Sequence, residues 1–223
     1  SKGISFRTNS DTEVLLRYYL EHGKACVDFF EGMWSFAIYD EAKQRLFLSR
    51  DRFAEKPLYY MVTDQGIYFA SEIKFIRALS VRPIAINKRR LLRHIKYGYK
   101  ALYKNDETYF EGVNELKYAQ NALIENGKIS RLWRYWQPQV AINEQMTLED
   151  AIEGTFEGLT RSLEIRLRAD VPLAFCLSGG VDSAALASLA AKHFNRKIKT
   201  FSIIDSDERY NEEKNIGYTV NDL

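Results

Sequence analysis

The stretch Leu173-Ala174-Phe175-Cys176-Leu177-Ser178-Gly179-Gly180-Val181-Asp182-Ser183-Ala184-Ala185-Leu186 decides the fold. Its first five residues are a short apolar run, as expected of a strand buried on both faces. Two glycines flanked by hydroxyl residues follow. Then Ala184, Ala185, Leu186, Leu189 and Ala190 read as a helix. Strand, glycine loop and helix in that order suit an anion. Gly179 and Gly180 let the backbone turn tightly and approach it. The helix adds its first N–H groups and its positive dipole end. Ser178 and Ser183 supply hydroxyl donors to phosphate oxygens. Asp182 does not favour a bare phosphate, but it suits a Mg²⁺ ion that bridges phosphate oxygens. The loop has no Gly-Lys-Ser/Thr ending, so it is not the usual P-loop. The alternative is an ordinary strand-to-helix turn rich in Gly and Ser.

The flanks agree with a layered α/β unit. Downstream, Thr200 to Ile204 reads as the next strand. Upstream, Thr147 caps a helix whose apolar positions are Leu148, Ile152, Phe156, Leu159, Leu163 and Leu167. Asp170 and Pro172 stop it. Helix, strand, loop, helix, strand is the front of a doubly wound parallel sheet. Residues 139–146 are polar and unpatterned, which places a boundary there. The expected domains are residues 1–140 and 147–223.

The first region has a different texture. Ser10 and Glu13 form the ends of a capping box, and Val14, Leu15, Tyr18 and Tyr19 follow at helical spacing up to Gly23. A short helix is expected from Val27 to Phe30. Trp34, Phe36 and Ile38 then alternate with Ser35, Ala37 and Tyr39. That period predicts a strand, with a turn over 40–44 and a return strand from Arg45 to Ser49. A second hairpin is expected from Pro57 to Val62 and Ile67 to Ala70. A third turns at Asn126-Gly127. Asn87 caps a short basic helix ending near Gly98, and its Lys88, Arg89, Arg90 and Arg93 read as a solvated face.

Composition excludes several classes. The 223 residues are 46% hydrophobic, enough for one large core or two modest ones, and 28% charged with a formal net charge of +2. The cations are dispersed among acids, so no nucleic-acid partner is indicated. Cys26 and Cys176 stand far apart, and His22, His94 and His193 stand alone, so no metal-ligand set is expected. Both cysteines read as core thiols. No apolar run is long enough to span a bilayer, and no signal-peptide pattern is present. A cytoplasmic protein with no membrane partner is the expectation.

Several stretches together resemble one family. Ser178 to Ser183 is similar to the SGGxDS loop of the ATP pyrophosphatase superfamily. Before it, Ser10-Asp11-Thr12-Glu13-Val14-Leu15-Leu16, Gly32-Met33-Trp34-Ser35-Phe36-Ala37-Ile38-Tyr39-Asp40, Arg50-Asp51-Arg52-Phe53-Ala54-Glu55-Lys56-Pro57-Leu58-Tyr59-Tyr60 and Phe69-Ala70-Ser71-Glu72-Ile73-Lys74 resemble the class II glutamine amidotransferase domains joined to asparagine synthetases. Tyr109 to Gly112 and Arg134-Tyr135-Trp136 fit the end of that domain. The likeness covers nearly the whole chain and is thinnest between Asn87 and Tyr109.

The resemblance implies an incomplete Ntn-type αββα sandwich, followed by the start of an ATP pyrophosphatase-type synthetase domain. It implies glutamine hydrolysis, ammonia transfer, and Mg-ATP activation of aspartate as β-aspartyl-AMP. Glutamine, aspartate and ATP are the implied small molecules, and a homodimer the implied assembly. Asp11 matches the carboxylate that holds the glutamine α-amino group; otherwise it only supports the first helical turn. The ATP loop is Leu177, Ser178, Gly179, Gly180, Val181, Asp182 and Ser183, with Ile203 on the following strand. The alternative for Leu177 and Ile203 is that they are plain core residues. Arg50 and Asp51 are expected to form a buried polar pair.

Departures matter as much. The chain starts at Ser1, inside the first domain, so no residue here matches the family's N-terminal cysteine nucleophile; Cys26 has no free α-amino group to act as its base. Leu223 precedes the family's aspartate pocket. The chain alone is therefore expected to complete neither half-reaction. Ala54 replaces the Gly of the family's "RFGEKP", and Lys117-Tyr118-Ala119-Gln120 stands in place of a Pro-Gly turn. Two other readings stay open: a relative acting on another carboxylate, such as a sugar uronate or β-amino acid, and a non-catalytic ATP- or glutamine-binding module.

Overall fold

A computed structural model describes residues 5–101 and 105–223. The chain divides into two compact units, Ser1–Val140 and Ala141–Leu223.

The first unit is built on two antiparallel sheets. One has four strands, β1 (Ser35–Asp40), β2 (Arg45–Arg50), β6 (Gln120–Glu125) and β7 (Lys128–Arg134), in the order β1-β2-β6-β7. The other has three, in the order β4-β3-β5: β3 (Tyr59–Thr63), β4 (Gly66–Ala70) and β5 (Val113–Glu115). The three expected hairpins form. The second starts at Tyr59 rather than Pro57, because proline has no N–H for a ladder.

Strand alternation sets the layers. Phe47 and Leu123 pack with Tyr19, Cys26 and Val27 from the segment before β1, while Leu48, Ala122 and Ile124 face the other way and pack with Tyr60. One residue along β3, Met61 joins Val113 and Ile76 of helix α2 (Ile73–Leu79). Each sheet thus has one face toward the other sheet and one toward a helical segment.

Helix α1 (Asp11–His22) is capped by Ser10, whose Oγ accepts from the Thr12 N–H. The expected reciprocal bond from Glu13 is not made. The Glu13 carboxylate instead accepts from the N–H groups of Arg7 and Thr8 and from the Thr8 hydroxyl. The Arg7 N–H bond, foremost among these, holds its pKa below the usual carboxylate range. The short helix expected from Val27 is a 3-10 helix over Gly23–Phe29. In helix α3 (Lys88–Tyr97), capped by Asn87, Arg90 is buried with its guanidinium over the Tyr109 ring. The expected solvated basic face is corrected there: a planar cation is stable against an aromatic face.

Arg50 and Asp51 are both buried but do not pair with each other. Arg50 donates to Glu115 and to the carbonyls of Ala54, Lys56 and Leu116. The Asp51 carboxylate accepts four backbone N–H groups, from Trp34, Phe53, Glu55 and Lys56. A guanidinium's fan of donors suits carbonyls, and a carboxylate's lone pairs suit N–H groups.

Ala54 has φ +57° and Ala119 φ +50°. Ala54 stands where the resemblance has glycine, Ala119 lies in the stretch that replaces a Pro-Gly turn, and both keep the left-handed conformation. An L-residue there costs about 1–2 kcal/mol, against about 0.5–1 kcal/mol of extra entropy that glycine loses on folding. Ala54→Gly is therefore expected to stabilise the unit by about 0.5–1 kcal/mol, read as a higher urea midpoint at unchanged slope. Ala119 is fully buried. Losing its methyl costs about 0.8 kcal/mol, so Ala119→Gly is expected to be close to neutral.

The second unit opens with helix α4 (Leu148–Arg166), held by the expected Thr147 cap, with Asp150 completing a capping box. Among the apolar positions of its stripe only Leu163 is buried. Strands β8 (Phe175–Cys176) and β9 (Thr200–Phe201) pair in parallel across helix α5 (Val181–Ser188), which runs on into a wider turn over Leu189–His193. Both strands are shorter than the apolar runs predicted, since each has one ladder partner among the described residues. Helix α6 (Glu213–Asp222) buries Ile216 with Leu177 and Ala187. Cys176, read as core, is exposed, because its side chain lies outside that cluster.

Candidate functional site

Two places carry the predicted site residues, one in each unit. In the first, Asp11 opens α1 and lines a cleft of about 550 Å³ together with Phe30, Glu31, Met33, Trp34 and Lys56. The segment before α1 is tied down by Glu13, which fixes where α1 begins. Asp11 is exposed, and its carboxylate accepts one long bond, 3.4 Å, from the Thr12 hydroxyl among the described residues. On the opposite side, Trp34 and Lys56 both donate their backbone N–H to the Asp51 carboxylate. A carboxylate at a helix start, beside aromatic walls and an ammonium, can hold the charged end groups of an amino acid.

Cys26 is fully buried, and burial pushes its thiol up to about 11. A thiol so placed is not an available nucleophile.

In the second unit the loop between β8 and α5 is closed by its own hydroxyls. The Ser183 Oγ accepts from the Ser178 N–H at 3.1 Å, lies 3.1 Å from the Ser178 Oγ, and donates to the Gly180 carbonyl at 3.1 Å. Gly180 is the residue before α5 and supplies no side-chain cap. The first N–H groups of α5 therefore have no intrahelical acceptor. Gly179 has φ +75°, and a Cβ there would lie 2.8 Å from the Glu212 Cβ. Gly180 has ordinary extended angles, φ −84° and ψ 159°. Only the first glycine is required by the turn; the second leaves open space at the helix start. Asp182 is exposed and in no ion pair among the described residues. No group of three or more metal-binding side chains occurs among them. One free carboxylate beside a loop that presents N–H groups fits a Mg²⁺ that takes its other ligands from phosphates and water.

Leu177 and Ile203 are not placed alike. Leu177 is buried in the core of the second unit, so only its backbone is open to a ligand. Ile203 lies two residues beyond β9 and is 95% exposed. It is not the core residue of the alternative reading.

Similarity to known proteins agrees with this division. The profile of a family described as "Glutamine amidotransferase domain" matches residues 1–136. The chain belongs to this family. A second profile, "Asparagine synthase", matches residues 155–223, which contain the Ser178 to Ser183 loop. Among curated relatives, asparagine synthetase [glutamine-hydrolyzing] 3 of Bacillus subtilis is 32% identical over 94% of the chain and 34% of its own length. Asparagine synthetase [glutamine-hydrolyzing] 2 of the same organism is 34% identical over 93% of the chain and 29% of its own length. Amidase chry2 of Gibberella zeae is 29% identical over 84% of the chain and 27% of its own length. The chain spans about a third of the length of the relatives it matches. No helix among its described residues is long and apolar enough to cross a membrane.

One feature of this amidotransferase chain escaped the sequence reading. Arg52, Phe53, Ala54, Lys117, Tyr118, Arg134 and Trp136 line a second cleft of about 720 Å³ in the first unit. Its sequence signal was the pair of departures at Ala54 and Lys117-Tyr118, which lie far apart in the chain and meet on this cleft.

Proposed function

We propose that the protein couples glutamine hydrolysis to ATP-dependent amidation of a carboxylate, with aspartate as acceptor, β-aspartyl-AMP as intermediate, and AMP and pyrophosphate as by-products. The observation that carries this is the order of the two family matches, with a phosphate-type loop inside the second. The first region is then an incomplete Ntn-type αββα sandwich, residues 1–140. Residues 147–223 open a doubly wound ATP pyrophosphatase domain.

In this reading Asp11 holds the α-amino group of glutamine. Gly179, Gly180, Val181 and the first turn of α5 present N–H groups to the phosphates of ATP, and Ser178 and Ser183 exchange their mutual bonds for phosphate oxygens. Leu177 contributes backbone beside the nucleotide, and Ile203 an apolar surface. Asp182 would help hold Mg²⁺ at the phosphates, and the ion would supply charge neutralisation for adenylation of the acceptor carboxylate.

A second reading is favoured by the relatives named amidases rather than asparagine synthetases. There the acceptor is another carboxylate, such as a sugar uronate or β-amino acid, activated in the same way.

The test is turnover by the whole protein given glutamine, ATP and Mg²⁺ with aspartate or a panel of other carboxylates, followed as amide product and pyrophosphate. Asparagine formation supports the first reading and amidation of another panel member the second. No pyrophosphate with any acceptor sinks both. Asp11→Asn is expected to lose about 2–4 kcal/mol of glutamine binding, as when one partner of a charge pair is removed. Its KM for glutamine should rise while turnover with free ammonia stays unchanged.

A further inference from the structure

The second cleft of the first unit is not used by the proposed chemistry. Four cations, Arg50, Arg52, Lys117 and Arg134, line it against one carboxylate, Glu115. That carboxylate is bound by Arg50 at 2.8 Å. Arg52 donates to the Phe30 carbonyl. The remaining two cations are differently placed. Arg134 lies over the Tyr118 ring at 4.0 Å, with no hydrogen bond or ion pair from its guanidinium among the described residues. The Lys117 ammonium has a single long contact, 3.9 Å, to Asp106. The guanidinium held over Tyr118 keeps N–H donors for a ligand. Beside them Phe53 and Trp136 stand edge to face at 5.4 Å, and Phe53 is mostly exposed. These cations and rings share one concavity, and a cleft of about 720 Å³ is in the range of small-ligand sites.

We propose that this cleft binds a nucleoside phosphate, with the phosphate on Lys117 and Arg134 and the base on the Phe53–Trp136 rings. A dianion matches the two cations that line the cleft. A flat base matches aromatic faces, where stacking tolerates any base. Lys117 belongs to the stretch Lys117 to Gln120 that stands in place of the family's Pro-Gly turn, whereas Phe53, Arg134 and Trp136 lie in stretches that resemble the family. It does not depend on the loop in the second unit.

The test uses AMP on the full chain, with calorimetry and tryptophan fluorescence as readouts. AMP is expected to bind, with Lys117→Ala/Arg134→Ala weakening it at least tenfold and Trp136→Leu weakening it further. Ser183→Ala, which touches only the second unit's loop, should leave this binding unchanged. AMP should also shield Lys117 from acetylation, read by mass spectrometry against exposed Lys128, which needs no variant to fold. No AMP binding, unchanged affinity in the double variant, or no shielding of Lys117 overturns the proposal. Loss of binding in Ser183→Ala alone also overturns it, and instead places AMP on the ATP loop. Inorganic phosphate binding as tightly as AMP overturns the nucleoside part, because the rings then contribute nothing.

Discussion

Asp51→Asn is expected to destabilise the first unit by about 3–6 kcal/mol, a large share of the roughly 5–15 kcal/mol that hold a domain together. The carboxylate is fully buried and accepts from the N–H groups of Trp34, Phe53, Glu55 and Lys56 at 2.9 to 3.2 Å. Asparagine keeps one acceptor oxygen. Its NH₂ group then faces two N–H donors, which lose their acceptor and cannot reach water. Each buried donor left unsatisfied costs about 1–3 kcal/mol, and bonds to a charged group are at the strong end of the net range. A urea titration should show a lower midpoint with unchanged slope. Asp64→Asn, in the exposed turn between β3 and β4, is the surface control and should stay within about 0.5 kcal/mol. A loss under about 1 kcal/mol for Asp51→Asn would mean that other contacts hold this loop.

The effect should reach both clefts. Trp34 and Lys56 line the cleft that holds Asp11, and Phe53 lines the cationic one. One carboxylate thus sets the backbone of residues on both. Glutamine affinity and AMP affinity are expected to fall together in Asp51→Asn, whereas Asp11→Asn should move only the first.

Much of this was legible in the sequence, for identifiable reasons. The hairpins followed from period-2 alternation, since Phe47 and Leu48 must face opposite ways. The Thr147 and Asn87 caps followed from local side-chain chemistry, which needs no tertiary context. What failed depended on distant partners. Arg50 and Asp51 were expected to pair because neighbours of opposite charge suggest it, but adjacent residues in extended backbone point apart, and each found partners elsewhere. Arg90 was expected in solvent because nothing local announces Tyr109. Cys176 and Ile203 were expected to be covered because apolar runs imply burial; cover must come from other segments, which a run does not specify. The role proposed for Asp11 was read from a motif, and the structure places Asp11 on a cleft. The cationic cleft was visible only as two unexplained departures.

The second large effect is expected at Gly179. Its φ of +75° already disfavours any side chain, at about 1–2 kcal/mol. A Cβ would also lie 2.8 Å from the Glu212 Cβ, 3.2 Å from the Glu212 carbonyl oxygen and 3.3 Å from the Asn215 Cβ. Backbone at the start of α6 cannot rotate away as a side-chain tip can, so the loop or the helix must shift, at about 1–3 kcal/mol. Ile216 of α6 packs on Leu177 just before the loop, so a shift would open that small core as well. Gly179→Ala is therefore expected to lose about 2–5 kcal/mol of stability in the second unit. Gly180→Ala separates folding from binding. That residue has ordinary angles, and its Cβ would meet only the Ser178 Oγ, at 3.4 Å. Its stability should change by less than about 1 kcal/mol. If the ATP phosphates approach this backbone, however, the added methyl occupies their place, and ATP affinity measured by calorimetry should fall at least tenfold, by about 1.4 kcal/mol or more. A Gly180→Ala chain that folds and binds ATP as before would remove the phosphate from this loop. A Gly179→Ala chain of unchanged stability would show that α6 does not pack on the loop as described.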